Sequence, residues 1–457
     1  MIQDTIVALA TASGVGAIAV LRLSGNDAIA IADGVFHSIH SAKKLKDQKT
    51  HTIHLGTIKD GESVLDEVLV SLFKNPQSYT GEDVVEFSCH GSHYIQNQLL
   101  QLLLRKGARL ANPGEFTLRA FINGKMDLAQ AEGVADLIAS DSEAAHKMAM
   151  QQMRGGYSLE IEKLREQLMN FASLIELELD FPEEDVEFAN RDALEKLLSE
   201  IRGVLKKLAD SFALGNVLKN GIPVAIVGAP NAGKSTLLNA LLNEDRAIVS
   251  EIEGTTRDTV EDELNIDGIP FRFIDTAGIR ETVDNIESIG IKKAFEKIEQ
   301  ASVVLYLFDA AKKTAAQVEA ELAKLDLPED KMLITIANKV DTISTEARDA
   351  FNKLPNVVLL SAKQQETEAL KTLLLSSVKT GALSNNEMIV SNSRHYASLH
   401  HALEAIIKVQ QGLDGGLTGE FLAMDIRTAL DHLGEITGQI TSDDLLGNIF
   451  SRFCIGK

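Results

Sequence analysis

GAPNAGKS at residues 228–235 fits the phosphate-loop pattern G-x-x-x-x-G-K-[ST]. It follows the apolar run VAIVG and opens the helix-like STLLNALL, the context this motif needs. Gly228 and Gly233 let backbone amides converge on phosphate oxygens. Lys234 offers a cation to the β- and γ-phosphates, and Ser235 a hydroxyl to Mg²⁺. Asn231, Ala232 and Thr236 complete the loop. DTAG at 275–278 ends another apolar run: Asp275 is placed to hold the magnesium through water and Gly278 to meet the γ-phosphate, with Thr276 and Ala277 between them. NKVD at 338–341 and SAK at 361–363 follow two further strands. Asp341 can accept from a guanine N1–H and its exocyclic amine, Asn338 and Lys339 pack around the base, and Ser361, Ala362 and Lys363 bring an amide to O6. Adenine has no such donor pair, so the four motifs together point to GTP rather than ATP.

The hydrolytic apparatus is less ordinary. Many small GTPases orient water with a Gln just after DxxG. Here that residue is Ile279, so hydrolysis is either slow or arranged differently. In GTTRD at 254–258, Thr256 is placed to reach Mg²⁺ and the γ-phosphate. Two roles are open to Asn231. It shapes the loop, or it binds a monovalent cation with carbonyls of Ser250, Glu251, Ile252, Glu253, Gly254 and Thr255.

These motifs need a scaffold, and the chain is long enough for several domains: 457 residues, 45% hydrophobic and 24% charged. Residues 1–123 alternate short strand-like runs with turns and one helix at 93–107, an α+β pattern. Residues 124–220 are helical, with 129–156 and 158–181 reading as two long helices. Residues 221–379 alternate strands and helices, which predicts a mainly parallel, doubly wound sheet. The helical pattern returns at 380–457, so the α/β domain is read as inserted into a helical bundle. Two cysteines exclude a disulfide scaffold and a four-thiolate zinc site. No apolar stretch is long enough for a membrane span, and no signal peptide is evident, so a reducing, cytoplasmic setting is expected. The net charge of −21 disfavours a generally basic nucleic-acid binder. No GxGxxG follows a strand, so no bound dinucleotide is expected. Cys89 and His90 cannot act as a pair, because adjacent strand residues point to opposite faces. Local chemistry reads Cys454, in FCIG, as a small buried hydrophobe. It reads Arg22, Glu86, Lys125 and Glu287 as ordinary solvated charges.

Over nearly its whole length the chain resembles the MnmE (TrmE) family of tRNA-modification GTPases. The resemblance rests on DTIVALAT, YTGEDVVEFSCHG at 79–91, NPGEFTLRAFINGKMDLAQAEGVADLI at 112–138, DFPEED, the GTPase motifs and TSDDLLGNIFSRFCIGK at 441–457. It implies a tetrahydrofolate-binding, dimerising N-terminal domain, a helical domain and a Ras-like GTPase domain. It further implies K⁺-stimulated hydrolysis coupled to addition of a carboxymethylaminomethyl group to carbon 5 of the wobble uridine of certain tRNAs. The implied partners are a second copy, the FAD-containing MnmG (GidA) in a heterotetramer, and tRNA; the one-carbon donor is a 5,10-methylene- or 5-formyl-tetrahydrofolate.

The same resemblance assigns residues. Asn231, Ser250, Ile252 and Thr255 match K⁺ positions, with Ser250 where threonine is expected. Ser235 and Thr256 match Mg²⁺ ligands, and Glu287 the glutamate that positions water. Arg22, Glu86, Lys125 and Lys457 match folate contacts, and Cys454 lies in the terminal motif near that site, where a nucleophilic role is a hypothesis. Two other readings stay open: a ribosome-assembly GTPase, disfavoured because the regions outside 221–379 hold 27 basic and 40 acidic residues, and a GTP-gated scaffold without modification chemistry. No basic, aromatic-interleaved stretch stands out and no tryptophan occurs, so most tRNA contact is expected to come from the partner.

Overall fold

The structure is a computed structural model that describes residues 4–39, 43–180, 191–246, 262–274, 298–323, 327–328, 331–376 and 388–456. The chain divides into two compact units. One comprises Met1–Ala139, Ala149–Gly203 and Ser398–Lys457; the other comprises Ser140–Met148 and Val204–Ala397. No helix among the described residues is long and apolar enough to cross a membrane.

The N-terminal sheet is built from β1 (Ile6–Leu9), β2 (Ile18–Ser24), β3 (Phe36–Ser38), β4 (Thr52–Asp60), β5 (Ser63–Phe73), β6 (Val84–His90) and β7 (Arg109–Leu110). Their order is β3-β4-β5-β6-β2-β1-β7, antiparallel except for the β1–β7 pair. Period-two alternation sends Val85, Phe87 and Cys89 of β6 inward and Glu86, Ser88 and His90 to the other face. Helices α1 (Ala28–Asp33) and α2 (His93–Arg105) cover the buried face, where Leu99, Leu102 and Leu103 meet Leu21, Val70 and Phe87. Ser92 caps α2 by accepting from the Ile95 amide. Cys89 is 2% exposed, with its thiol pushed up to about 11 by burial and the Asp66 charge, while His90 stands outward on Asp66 at 2.7 Å. The two side chains share no site.

Helix α3 (Glu115–Ile122) carries the most heavily buried charge in this unit. Arg119, 1% exposed, donates to Asp4 Oδ1 at 2.8 Å, Glu115 Oε1 at 2.9 Å and Glu82 Oε2 at 3.1 Å. Asp4 and Glu115 also receive Arg109. One guanidinium thus ties the start of β1, the approach to β6 and α3 together. Hydrogen bonds from Arg109 hold the Asp4 carboxyl below its ordinary range despite burial. Burial raises that of Glu115, but bonds from Arg109, the Asn112 amide and Arg119 bring it lower overall.

The helical part departs from the sequence reading at one place. The expected long helix over 129–156 is two, α4 (Leu128–Ala139) and α5 (Glu143–Met153). Ser142 accepts from the Ala145 amide at 3.1 Å, and a serine oxygen that caps a new helix ends the old one. Helices α6 (Ser158–Asp180) and α7 (Arg191–Asn220) follow, then the helices Ser393–Asp414, Gly419–Thr437 and Asp443–Phe450. α6 runs along Gly419–Thr437, with Arg165 donating to the Leu430 carbonyl at 3.2 Å and Arg427 paired to Glu176 at 2.6 Å. Phe450 and Phe453 pack on Leu128 and Ala131.

In the second unit β8 (Ile222–Val227), α8 (Lys234–Arg246), β9 (Asp262–Ile266), β10 (Ile269–Phe273), β11 (Val303–Asp309), β12 (Met332–Asn338) and β13 (Val357–Leu360) form a sheet ordered β13-β12-β11-β8-β10-β9. Every pair is parallel except β9–β10. Val224 and Ile226 of β8 face one core with Leu237 and Leu241 of α8 and Leu370 and Leu374 of the helix Glu368–Ser376. Ala225 and Val227 face the other, with Val318 and Phe351 of the helices Ala315–Leu322 and Thr345–Phe351. The sheet is doubly wound, as the alternation of strands and helices predicts. Strand β9 went unrecognised in the sequence reading. Its signal was Asp267-Gly268 between two alternating runs, a two-residue turn with φ of 50° and 83°.

Two outcomes test the Arg119 network. Arg119→Ala takes the guanidinium away from Glu82 and leaves Arg109 alone with Asp4 and Glu115, and is expected to cost ~3–5 kcal/mol, read as lost amide-exchange protection in β1 and α3. Because Asp4 and Glu115 are depressed in the folded state, their stabilisation is present above the unfolded carboxylate pKa of about 4 and lost as pH falls through the lower folded values. Urea midpoints between about pH 5 and 2 should therefore fall more steeply for the wild type than for Arg119→Ala.

Candidate functional site

The phosphate loop joins the end of β8 to α8, and its shape leaves little room for other residues. Gly228 has φ of 152°, and a Cβ there would lie 2.1 Å from the Leu307 carbonyl oxygen. Gly233 has φ of 103°, and its Cβ would meet the Asn338 side-chain nitrogen at 2.2 Å. Asn231, between them, is also left-handed at φ 62°. Lys234 Nζ donates to the carbonyls of Gly228 at 2.8 Å and Ala229 at 3.1 Å, arching back over the loop. Ser235 and Thr236 lie in the first turn of α8, whose N-terminus favours an anion.

The NKVD and SAK segments close on this loop from β12 and β13. Asn338, 2% exposed, donates from Nδ2 to the Ala232 carbonyl at 2.8 Å. Its Oδ1 accepts from the amides of Lys339 at 2.8 Å and Ala362 at 3.0 Å. Lys339 is left-handed at φ 65° and donates from Nζ to the Asn231 carbonyl at 3.2 Å. Asp341 is exposed in a short 3₁₀ turn beyond it. Ser361 Oγ is buried with no hydrogen-bond partner among the described residues, while the Ser361 amide donates to Glu366 at 3.2 Å. Lys363 is exposed beside Ala362. The fold thus joins Asn231, Ala232, Gly233, Lys234, Asn338, Lys339 and Ala362 in one cradle.

One member of this network escaped the sequence reading. Asp309, at the end of β11 and paired in register with Asn338, accepts from Lys339 Nζ at 2.7 Å and the Ala311 amide at 3.0 Å. Burial raises its carboxyl, but the Lys339 and Ala311 bonds and the charges of Lys339 and Lys312 hold it below the ordinary range. An acidic residue ending an all-apolar strand was the available signal.

Ser250, Glu251, Ile252, Glu253, Gly254, Thr255, Thr256, Asp275, Thr276, Ala277, Gly278, Glu287 and Lys457 lie outside the described residues. Among those described, no group of three or more His, Cys, Asp or Glu side chains is disposed to hold a metal. Of the residues expected to hold Mg²⁺ and a monovalent cation, Ser235 and Asn231 are the two that fall within the described residues.

A second constellation sits on the N-terminal sheet. Arg22 and Glu86 are cross-strand partners on β2 and β6, bonded Nε to Oε1 at 2.7 Å, with side chains 19% and 24% exposed. They form a shielded ion pair rather than two solvated charges. The Arg22 guanidinium lies 5.6 Å from the ring centroids of both Tyr79 and Phe116. It also reaches the Gly456 carbonyl at 3.5 Å. The C-terminal tail is pressed onto the sheet there: a Cβ on Gly456 would lie 2.3 Å from the Leu9 carbonyl oxygen. The Gly114 amide donates to the Cys454 carbonyl at 3.5 Å. The Cys454 side chain is exposed, which corrects the reading of a buried hydrophobe; Phe453 takes the inward position instead. Lys125 donates to the Pro76 carbonyl at 2.8 Å, at the start of the segment that carries Tyr79.

Asp309→Asn removes one charge from the Lys339 bond. A charge-assisted hydrogen bond is worth about 1.5–3 kcal/mol, so guanine-nucleotide affinity is expected to fall roughly 10- to 100-fold. Fluorescent-GDP titration checks this, and unchanged affinity would show that Asp309 does not position Lys339.

Comparison with known proteins covers the whole of this architecture. Residues 5–125 match the family model described as GTP-binding protein TrmE N-terminus, and 128–454 match the MnmE helical domain. The tRNA modification GTPase MnmE of Flavobacterium psychrophilum is 63% identical over 460 residues, covering 100% of this chain and 99% of that one. The protein of the same name from Flavobacterium johnsoniae is 63% identical, with the same coverage. That from Cytophaga hutchinsonii is 56% identical over 99% of this chain and 98% of its own. Such identity along both chains leaves no domain unaccounted for: this chain belongs to the MnmE (TrmE) family of tRNA modification GTPases.

Proposed function

We propose that this chain is a K⁺-stimulated GTPase whose cycle serves addition of a carboxymethylaminomethyl group to carbon 5 of wobble uridine in certain tRNAs. At the coarser level it is a GTP hydrolase of the tRNA-modification family. The observation that carries the nucleotide assignment is the side-chain amide of Asn338. It joins the phosphate loop at Ala232 to the SAK segment at Ala362. In this reading backbone amides of 231–236 bind the phosphates, and Asp341 with a backbone amide of the segment 361–363 selects guanine. Gly228 and Gly233 support it, since a side chain at either would fill the cradle. Lys234, bonded here to the carbonyls of its own loop, turns to the phosphates.

Bound Mg²⁺ and K⁺ would supply positive charge against the charge that develops on the phosphate oxygens. Ser235 and Thr256 are the assigned Mg²⁺ ligands. Asn231, with Ser250, Ile252 and Thr255, is assigned to K⁺; Glu287 positions water in place of the glutamine missing at 279. The proposed division is an N-terminal domain over 1–123, helical parts over 124–220 and 380–457, and a GTPase domain over 221–379, in a cytoplasmic protein.

The N-terminal constellation is proposed as the tetrahydrofolate site. Glu86 would pair with the pterin's donor edge, Arg22 and Lys125 would meet carbonyl or carboxylate oxygens, and Lys457 would join them from the tail. The shielding of the Arg22–Glu86 pair supports this, because a charge held between two rings is desolvated before a ligand arrives. Exposure of the Cys454 thiol is compatible with a nucleophilic role. The protein acts as a homodimer through its N-terminal domain, with the FAD-containing MnmG supplying redox chemistry.

Two measurements test this function. Mass spectrometry of tRNA nucleosides from deletion cells should show loss of carboxymethylaminomethyl-type uridines, restored by the gene and not by an Asp275→Ala version. An unchanged profile would sink the modification role. Hydrolysis should be faster in K⁺ than in Na⁺ and rise with protein concentration; equal rates in both salts would remove Asn231 from cation binding.

A further inference from the structure

Residues 43–59, KKLKDQKTHTIHLGTIK, hold five lysines and two histidines against one aspartate, in a chain of net charge −21. The fold gathers the first part of this run against the end of β5. The His51 amide donates to the Leu72 carbonyl at 2.8 Å, and the Lys74 amide to Thr50 Oγ1 at 3.0 Å. Lys74 Nζ donates to the Lys46 carbonyl at 2.7 Å, which brings a further ammonium from β5's end to the turn at Leu45–Asp47. Burial and the charge of Lys43 both lower the pKa of His54 in β4. Lys43, Lys44, Lys46 and Lys49 are exposed and Lys74 is half-buried.

The neighbouring carboxylates Asp33 and Asp83 bond backbone amides rather than these ammonium groups. Asp33 accepts from the amides of Leu45 at 2.6 Å and Lys46 at 3.1 Å, and Asp83 from the Asn75 amide at 2.9 Å. Asp47 is the one acidic side chain within the run. Among the described residues, no ion pair joins Lys43, Lys44, Lys46, Lys49 or Lys74 to a carboxylate. Holding like charges together on an otherwise acidic protein costs energy, and a partner bearing closely spaced negative charges recovers it. Phe73 is engaged edge-on by the His51 ring at 5.5 Å, so the surface offers charge rather than a stacking platform.

We propose that Lys43, Lys44, Lys46, Lys49 and Lys74 form a contact surface for the phosphate backbone of tRNA. This rests on the reading of the chain as a tRNA-modifying enzyme, and it departs from the expectation that the partner provides most tRNA contact. Backbone contact of this kind sets affinity and orientation and carries no sequence preference.

The test is fluorescence-anisotropy titration of an unmodified tRNA transcript with the full-length protein alone, at several salt concentrations. The wild type should bind with an affinity that falls steeply with salt. The variant K43Q/K44Q/K46Q/K49Q/K74Q should bind at least ~30-fold more weakly near 50 mM salt, with a log–log salt slope shallower by roughly 3.5–4.5, at about 0.7–0.9 per lost phosphate contact. A control carrying K163Q/K196Q/K312Q/K353Q, exposed lysines elsewhere, should match the wild type. Circular dichroism and the thermal transition establish that both variants are folded.

Absence of binding by the wild type, or equal affinity and slope in the five-lysine variant, would overturn the proposal. Retained tRNA affinity with weakened self-association or MnmG binding would assign these lysines to an acidic protein surface, and also overturns it. Nucleosides unchanged in deletion cells would instead remove the modification role while leaving the binding result standing, so the two failures are distinguishable.

Discussion

The side-chain amide of Asn338 is the joint on which the nucleotide cradle depends. It is buried, and both of its polar atoms are used: Nδ2 toward Ala232, Oδ1 toward the amides of Lys339 and Ala362. Three loops from the ends of β8, β12 and β13 are thereby held at one distance from each other. A buried amide with an unmet donor or acceptor is costly, so any displacement of one loop is resisted by the other two. The left-handed backbone of Asn231 and Lys339 and the space denied at Gly233 belong to the same close approach. Asp309 extends it by one strand, fixing the ammonium that caps Asn231.

A comparable logic governs the N-terminal domain, with charge in place of an amide. Arg119 is almost wholly buried and carries three carboxylates around it. Such a centre adds little net stability beyond an apolar one, but it tolerates few alternative arrangements of β1 and α3. That precision matters because β1 is the strand onto which the C-terminal tail folds, at Leu9. The tail then brings Gly456 to Arg22, so the end of the chain meets a strand near its start.

The distribution of charge also acquires meaning only in three dimensions. The first 123 residues are nearly neutral as a sum, with 11 basic and 12 acidic side chains. The fold separates them. Asp4, Glu82 and Glu115 surround Arg119, and Asp33 and Asp83 serve backbone amides. The lysines near the Leu45–Asp47 turn are left as a local positive surface.

The order of strands and helices in the second unit, the phosphate loop and the NKVD and SAK segments beside it were legible in the sequence. Each is encoded in contiguous residues whose spacing has one physical purpose. Period-two alternation by itself also separates Cys89 from His90. What required the tertiary structure were relations between distant residues. The Arg22–Glu86 ion pair spans 64 positions and the Arg22–Gly456 contact 434, so neither charge could be told from a solvated one by its neighbours in sequence. The exposure of Cys454 was decided by which of two adjacent residues turned inward. The break at Ser142 was a competition between one long helix and a serine cap, which apolar periodicity alone does not register. Local chemistry therefore determined the motifs and most elements, and packing determined which side chains are paired, shielded or left to meet a partner.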